Sequence, residues 1–533
     1  MTPFYDNVEN NNRRSFLKTL GGITATVTLG QNVPPLHKMK QQTYDLIVVG
    51  AGTAGMPCAI TAAQKGGRVL VVEKASRVGG TLHYTGGHMS AGGTRHQTAH
   101  EIVDFADEHY NEVMQISKQT AVPYIVKMAT DEAPRTIDWL DGLGFEFAAE
   151  SPRIVFGHVP YSVARTQYGK DAGESIFKVI KPLWDELVAA GNITVLLNTE
   201  LKGLVLENGK VVGVKVEGVK SERVKGEGIK VEMSEQSICY SSHFTVLTTG
   251  GYANNAAMFA QKHPKHPRLI STAAPTSTGE GIAIAERVGA KFWNADTHIS
   301  SLGGIELEPK SGQADFWTAW AMVFTTSYRP AREIYVNDLG QRFMDESNPD
   351  PDYRERAVAE QPQKRFWVIF DETALNALPM TVVPKWTIDK IKAEAQNSKC
   401  VWVGATVGEL AQKTGLPPDT LRTTVAQFNQ FAKNGIDAEY GRKDLTSRVE
   451  AGPFYAILTY ATSLISFGGL AVNDQLQVLD VQNKPIPNLY AAGEILGAGA
   501  TTGNAFCGGM LVTPAISFGR ILGERLVKNQ KND

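Results

Sequence analysis

The sequence predicts an α/β fold, with a Rossmann-like sheet interrupted by a separate α+β segment. Three observations predict it. A β-branched apolar run, Asp45-Leu46-Ile47-Val48-Val49, passes straight into glycines at 50, 52 and 55. A second apolar run, Val69-Leu70-Val71-Val72, ends on an acid, Glu73. Between about residues 297 and 464 the composition shifts toward aromatic, proline and charged residues, and glycine-rich sequence then returns.

The first strand and its glycines have the order and spacing of a dinucleotide-binding turn. Gly50 permits the tight turn, Gly52 lets backbone approach a pyrophosphate, and Gly55 lets the next helix pack close on the strand. That helix, opening near Ala54, points unpaired N–H groups and a positive partial charge at a diphosphate. Glu73 ends the second strand, where a carboxylate accepts hydrogen bonds from a ribose. Lys74, then Gly79-Gly80-Thr81 and Gly86-Gly87, follow closely enough to suggest backbone wrapped around a long, extended cofactor. A helical region is expected over about 99–143. A β-rich region follows over 193–250, with a polar excursion near 220–228. It ends in Thr245-Val246-Leu247-Thr248-Thr249-Gly250, a buried-strand pattern running into a glycine turn. Ser277-Thr278-Gly279-Glu280-Gly281 opens a helix, and Asn488-Leu489-Tyr490-Ala491-Ala492-Gly493-Glu494 precedes a last glycine loop and a helix around Pro514 to Leu526.

At 533 residues the chain exceeds one ordinary core, and 42% hydrophobic residues suffice for a sizeable one. A net charge of −2 gives no footprint for nucleic acid. No apolar run is long enough to span a bilayer. Cys58, Cys239, Cys400 and Cys507 form no C-x-x-C, so no zinc site, redox pair or attached haem is signalled, and no metal is expected. Arg13-Arg14-Ser15-Phe16-Leu17-Lys18, followed by a mildly apolar Gly/Thr-rich stretch, is a twin-arginine signature and predicts export to the periplasm. Residues 1–42 are therefore set aside as signal and linker.

Over residues 43–530 these motifs resemble the FAD-binding flavoproteins related to soluble fumarate reductases, urocanate reductase and 3-ketosteroid dehydrogenases. The resemblance implies FAD held in two parts, 43–296 and 465–533, by Gly50, Gly52, Ala54, Gly55, Glu73, Lys74, Gly80, Thr81, Gly86, Gly87, Gly250, Glu280, Glu494 and Val512. It implies a cap over the substrate at 297–464. His83 and His88 reproduce no flavinylation motif, so the FAD is expected to be non-covalent. Tyr328 to Asn337 and Gly340 to Glu346 resemble the cap block that precedes the proton-transfer residue. By fumarate reductases that residue is Arg354; by ketosteroid dehydrogenases it is Tyr353. Arg329 matches a relay arginine, beside Tyr328, but Thr326 stands where its glutamate partner belongs.

The chain departs from dicarboxylate enzymes at two positions. Ile465 occupies the place of a substrate histidine, and Phe506 that of a substrate arginine. His298 falls one residue from another substrate histidine and is read as a satisfied structural one. Aromatics stand in for the missing charges: Phe316, Trp317, Trp320 and Phe324 in the cap, and Phe467 and Phe506 on the flavin side. Trp317 and Trp320, three apart, also suit a shared helix face in the cap's own core. The expected enzyme adds or removes hydrogen across a C–C bond next to a carbonyl of a largely apolar cyclic substrate. The alternatives are a reductase of an unsaturated monocarboxylate, clamped by Arg329, Arg332 or Arg356, and a flavin electron carrier or binding protein. Electrons would pass to or from a separate cytochrome or soluble partner.

Overall fold

The computed structural model describes residues 43–224, 228–233, 237–266, 268–294, 296–306, 308–314, 330–377, 387–397 and 399–527. The Arg13-Arg14 signature lies outside them. The main sheet runs, in spatial order, Gln477–Leu479, Pro485–Ala491, Ile238–Leu247, Thr43–Val49, Val69–Val72 and Ile193–Leu196. All neighbours on this path are parallel except the first pair. Leu46, Ile47, Val48, Val69, Leu70 and Val71 have no exposed surface. Such continuous apolar strands suit a parallel sheet covered on both faces. Val49 lies opposite both Val72 and Leu247, and Leu247 lies opposite Ala491. Gly50, Glu73, Thr248 and Ala492 therefore share one edge, the carboxyl end where ligands of open α/β sheets bind.

The expected helical region resolves into Ala106–Ile116 and Pro123–Gly142. The polar excursion near 220–228 falls on Lys210–Val224, one long strand of the β-rich region that pairs back on Gly228–Met233. All four cysteines are buried and free. Among the described residues no helix is long and apolar enough to cross a membrane, and no His/Cys/Asp/Glu cluster could hold a metal.

A second, antiparallel sheet has the order Ile334–Val336, Arg365–Asp371, Phe454–Tyr460, Val401–Gly404. Its central strand alternates: Phe366, Val368 and Phe370 join one apolar cluster, Trp367 and Ile369 another. Helices Pro351–Glu360 and Ile388–Asn397 cover the first face through Val358 and Ile391. Helices Val407–Thr414 and Pro418–Asn434 cover the second through Leu410 and Leu421. A buried charge network lies beside it: Glu346 accepts from Arg342 at 2.9 and 2.8 Å and from Arg442 at 3.2 Å, while Asp437 accepts from Arg342 at 2.9 Å.

The helix Gly55–Gln64 is fixed from behind by Val512–Leu526. A Cβ on Gly519 would lie 2.2 Å from the Ala54 carbonyl oxygen, and one on Gly523 2.4 Å from that of Cys58. Only glycine permits this approach of two backbones. Gly519→Val should therefore lower stability by at least about 1–3 kcal/mol in urea unfolding. Gly142→Ala, where an added Cβ meets nothing within 4 Å, should not. Equal midpoints for the two variants would show that the helices can separate at little cost.

Candidate active site

An elongated cavity opens along the carboxyl edge of the main sheet. Glu73 organises its floor. One carboxylate oxygen accepts the Ala51 N–H at 2.7 Å and the other the Ala75 N–H at 2.8 Å. Each oxygen keeps acceptor capacity toward the cavity. Gly50 turns with φ 104°, and the Thr248 hydroxyl donates to the Val49 and Gly50 carbonyls at 2.9 and 2.8 Å. A Cβ on Gly52 would meet no protein atom closer than 3.7 Å, so its open side faces ligand space. Gly80 approaches it so closely that a Cβ there would lie 2.8 Å from the Gly52 Cα. This is a cradle shaped for a diphosphate against bare backbone, with a carboxylate for the ribose, and FAD fits it.

The other cofactor residues expected from sequence line the same cavity: Ala54, Lys74, Thr81, Gly86, Gly250, Glu280, Glu494 and Val512. Lys74 pairs with Glu280 at 3.0 Å. Glu494 accepts from the Ser466 N–H at 2.9 Å, and burial raises its pKa. Gly55 and Gly87 stand behind the wall instead. A Cβ on Gly55 would lie 1.8 Å from the Gly50 oxygen, and one on Gly87 2.6 Å from the Ala172 backbone, so both serve packing. His83 lines the cavity but both ring nitrogens are engaged, with Glu174 at 2.5 Å and the Val78 carbonyl at 2.9 Å. Thr249, Thr272, Ser277 and Leu201 also line it. Thr249 and Ser277 fall within the sequence stretches beside Gly250 and Glu280 without being singled out there, whereas Thr272 and Leu201 come from segments without a motif.

Ile465 lines the cavity, and beside it lies an apolar cluster of Ile299, Phe467, Ala498 and Phe506. The two phenylalanine rings meet edge to face at 5.3 Å. His158 stacks on Phe506 at 5.0 Å. His298 stands edge-on to Phe467 at 6.2 Å, packed among Phe259, His263 and His266. It is not a satisfied histidine: its buried Nδ1 has no hydrogen-bond partner. Burial, then the neighbouring His266 and His263, hold its pKa well below the usual range, so it is neutral.

Tyr353 and Arg354 sit on helix Pro351–Glu360, and neither lines the cavity. The Tyr353 hydroxyl accepts the Asp345 N–H at 3.1 Å. Arg354 is buried. Burial pushes the adjacent Glu355 up to about 8, so this carboxyl carries a proton at neutral pH; sequence reasoning did not single it out. Arg356 pairs with Asp352 at 2.8 Å and donates to the Asn504 carbonyl at 2.7 Å, docking the helix on the loop that carries Phe506. Lys118 reinforces this at 2.7 Å from Asp352. The Arg332 N–H donates to the Glu333 carboxylate at 2.9 Å. Trp317, Trp320, Tyr328 and Arg329, with Phe316, Phe324 and Thr326, lie outside the described residues.

Removing Glu73 leaves two backbone donors and the ribose without an acceptor, each costing about 1–3 kcal/mol. Glu73→Ala should purify with less FAD per mole and rebind it at least tenfold more weakly. An unchanged flavin content would place the ribose elsewhere.

The family described as FAD binding domain matches residues 45–511. Over 492 residues the chain is 28% identical to a probable fumarate reductase of Shewanella frigidimarina, covering 92% of this chain and 75% of that one. It is 26% identical to the 3-oxosteroid 1-dehydrogenase of Mycolicibacterium smegmatis, over 90% of this chain and 96% of that one. Among solved structures, the open conformation of a flavocytochrome c3 fumarate reductase superposes with a TM-score of 0.69 at 26% identity, covering 92% of this chain and 79% of that one. The chain belongs to the FAD-binding domain family and is an FAD-dependent oxidoreductase acting on CH–CH bonds.

Proposed function

We propose that the protein adds or removes hydrogen across a C–C bond adjacent to a carbonyl of a largely apolar cyclic substrate. The observation that carries this is the apolar wall that Ile465 and Ala498 present to the cavity, backed by buried Ile299, Phe467 and Phe506. A dicarboxylate placed there would lose water without gaining a partner. FAD, when bound, supplies the hydride donor or acceptor. The chain's own residues exclude water from that end, stack against a flat substrate and move one proton. Tyr353 and Arg354 are the candidates for the proton, because their helix is docked on the Phe506 loop through Arg356. Electrons pass to or from a separate cytochrome or soluble partner. The cap argues against a simple electron carrier, which has no use for a covered substrate site.

Fumarate and succinate at millimolar concentration should neither reoxidise nor bleach the flavin, whereas a flat conjugated cyclic carbonyl compound should. Loss of two charge-assisted contacts, each about 1.5–3 kcal/mol, weakens a dicarboxylate by some two to four powers of ten. Of Tyr353→Phe and Arg354→Met, the variant that removes the proton-transfer group should turn over about 10² to 10⁴ more slowly with FAD retained. Rapid fumarate turnover, or near-normal rates in both variants, would overturn the corresponding assignment.

We also propose that the protein is exported to the periplasm by its twin-arginine signature, folded around non-covalent FAD. The engagement of both His83 nitrogens supports the non-covalent reading. Arg13→Lys with Arg14→Lys keeps the charge but not the guanidinium pair. The double variant should stay in the cytoplasm with FAD that acid precipitation releases. Normal export, or colour left in the acid pellet, would count against the respective half.

A further inference from the structure

Segment 151–168 brings a second set of groups to the substrate end, of which only His158 has been placed above. It is pinned beside the Phe506 loop: Val159 bridges to Cys507, and the Tyr161 hydroxyl donates to the Gly508 carbonyl at 2.7 Å. Further along, Thr166–Gln167 pairs with Met89–Ser90. Gly509 in turn lies so close to Ser90 that a Cβ on it would come within 2.3 Å of that backbone nitrogen. Segments 86–90, 151–168 and 504–509 thus converge on one region.

The polar groups in that region are poorly satisfied. His158, stacked on Phe506, has a buried Nδ1 without a hydrogen-bond partner. His88 stands edge-on to Tyr168 at 5.0 Å, and the Arg153 guanidinium lies over the same ring at 5.0 Å. The Arg153 Nε is buried and makes no hydrogen bond, and among the described residues no carboxylate pairs with Arg153. Burial, then Arg153, lowers His88 to about 4, and burial, then His88, lowers His158 to about 4, so both rings are neutral at physiological pH. Among the described residues Arg153 is left as a cation without a counter-ion. A guanidinium with a shielded, unbonded nitrogen is costly unless an anion or strong acceptor completes it, and planar oxygen acids match its fork.

We propose that Arg153, flanked by His88 and His158, binds an acidic oxygen, a carboxylate or a phenol, at one end of an elongated flat substrate whose apolar body lies toward Ile465 and Ala498, the cavity wall that Phe506 and Phe467 back. This rests on the apolar reading of the Phe467–Phe506 end and specifies the substrate further. The charge that dicarboxylate enzymes hold at the positions of Ile465 and Phe506 is absent there and is met instead at a separate pole.

The test is a titration of the oxidised holoenzyme, followed by perturbation of the flavin absorbance, with matched pairs of probes. Cinnamate against methyl cinnamate reads the carboxylate. Para-hydroxybenzalacetone against its para-methoxy ether reads the phenol. At least one acidic member should bind about ten- to a hundredfold more tightly than its neutral partner, the worth of one charge-assisted contact. Arg153→Met should erase that preference with FAD retained, since Arg153 does not line the cofactor cavity. If Arg153→Met fails to hold FAD, Arg153→Lys decides: it keeps the charge but loses the planar fork, and the preference should shrink. No acidic preference in the unaltered protein, including no binding by any probe, overturns the proposal. So does a preference that survives in the deciding variant. Flavin turnover of the neutral probes by the unaltered protein reports the C–C reaction separately.

Discussion

Everything in the cofactor half depends on one constraint, the meeting of bare backbone at the carboxyl edge of the parallel sheet. Three strands end in register, and the turn after the first closes on the Thr248 carbonyl at a distance no side chain could share. The Glu73 carboxylate then ties the turn to the end of the second strand by accepting from Ala51 and Ala75. Behind them, Gly519 and Gly523 let the last helix lie against the first at backbone contact. These contacts are short and nearly rigid, so the cradle is shaped before a ligand arrives. That is the condition for a tight site that spends little free energy on ordering itself.

The antiparallel sheet works differently. Its central strand alternates between two clusters, and its charges are internal: Arg342, Arg442, Glu346 and Asp437 neutralise one another. A self-contained core of this kind can present helix Pro351–Glu360 to the flavin side as a unit, which is how Tyr353 and Arg354 come to be near the Phe506 loop without lining the cofactor cavity.

The cofactor site was legible in sequence because its demands are local. A strand, a positive φ at Gly50 and an acid at a strand end leave marks within about thirty residues. The proposed substrate end was legible only in outline. Ile465 and Phe506 could be placed by their neighbouring glycines, yet His158 and Arg153 come from an irregular segment with no period and no motif, and their significance lies in unsatisfied atoms that only three dimensions reveal. His298 shows the same limit: its position could be anticipated, but not that its Nδ1 lacks a partner. The β-rich character of 193–250 was legible in composition, but the pairing of Lys210–Val224 with Gly228–Met233 was not, because which strands pair is not a local property.

The Arg356 bond to the Asn504 carbonyl joins the helix of the antiparallel sheet to the loop that carries Phe506. If helix Pro351–Glu360 swings away to admit a substrate, that bond breaks and the loop two residues before Phe506 is held only from its other side, by Thr120 and segment 151–168. Entry and the shape of the aromatic wall are then one mechanical variable. A substrate would be selected not by a fixed slot but by whether the loop can re-latch around it.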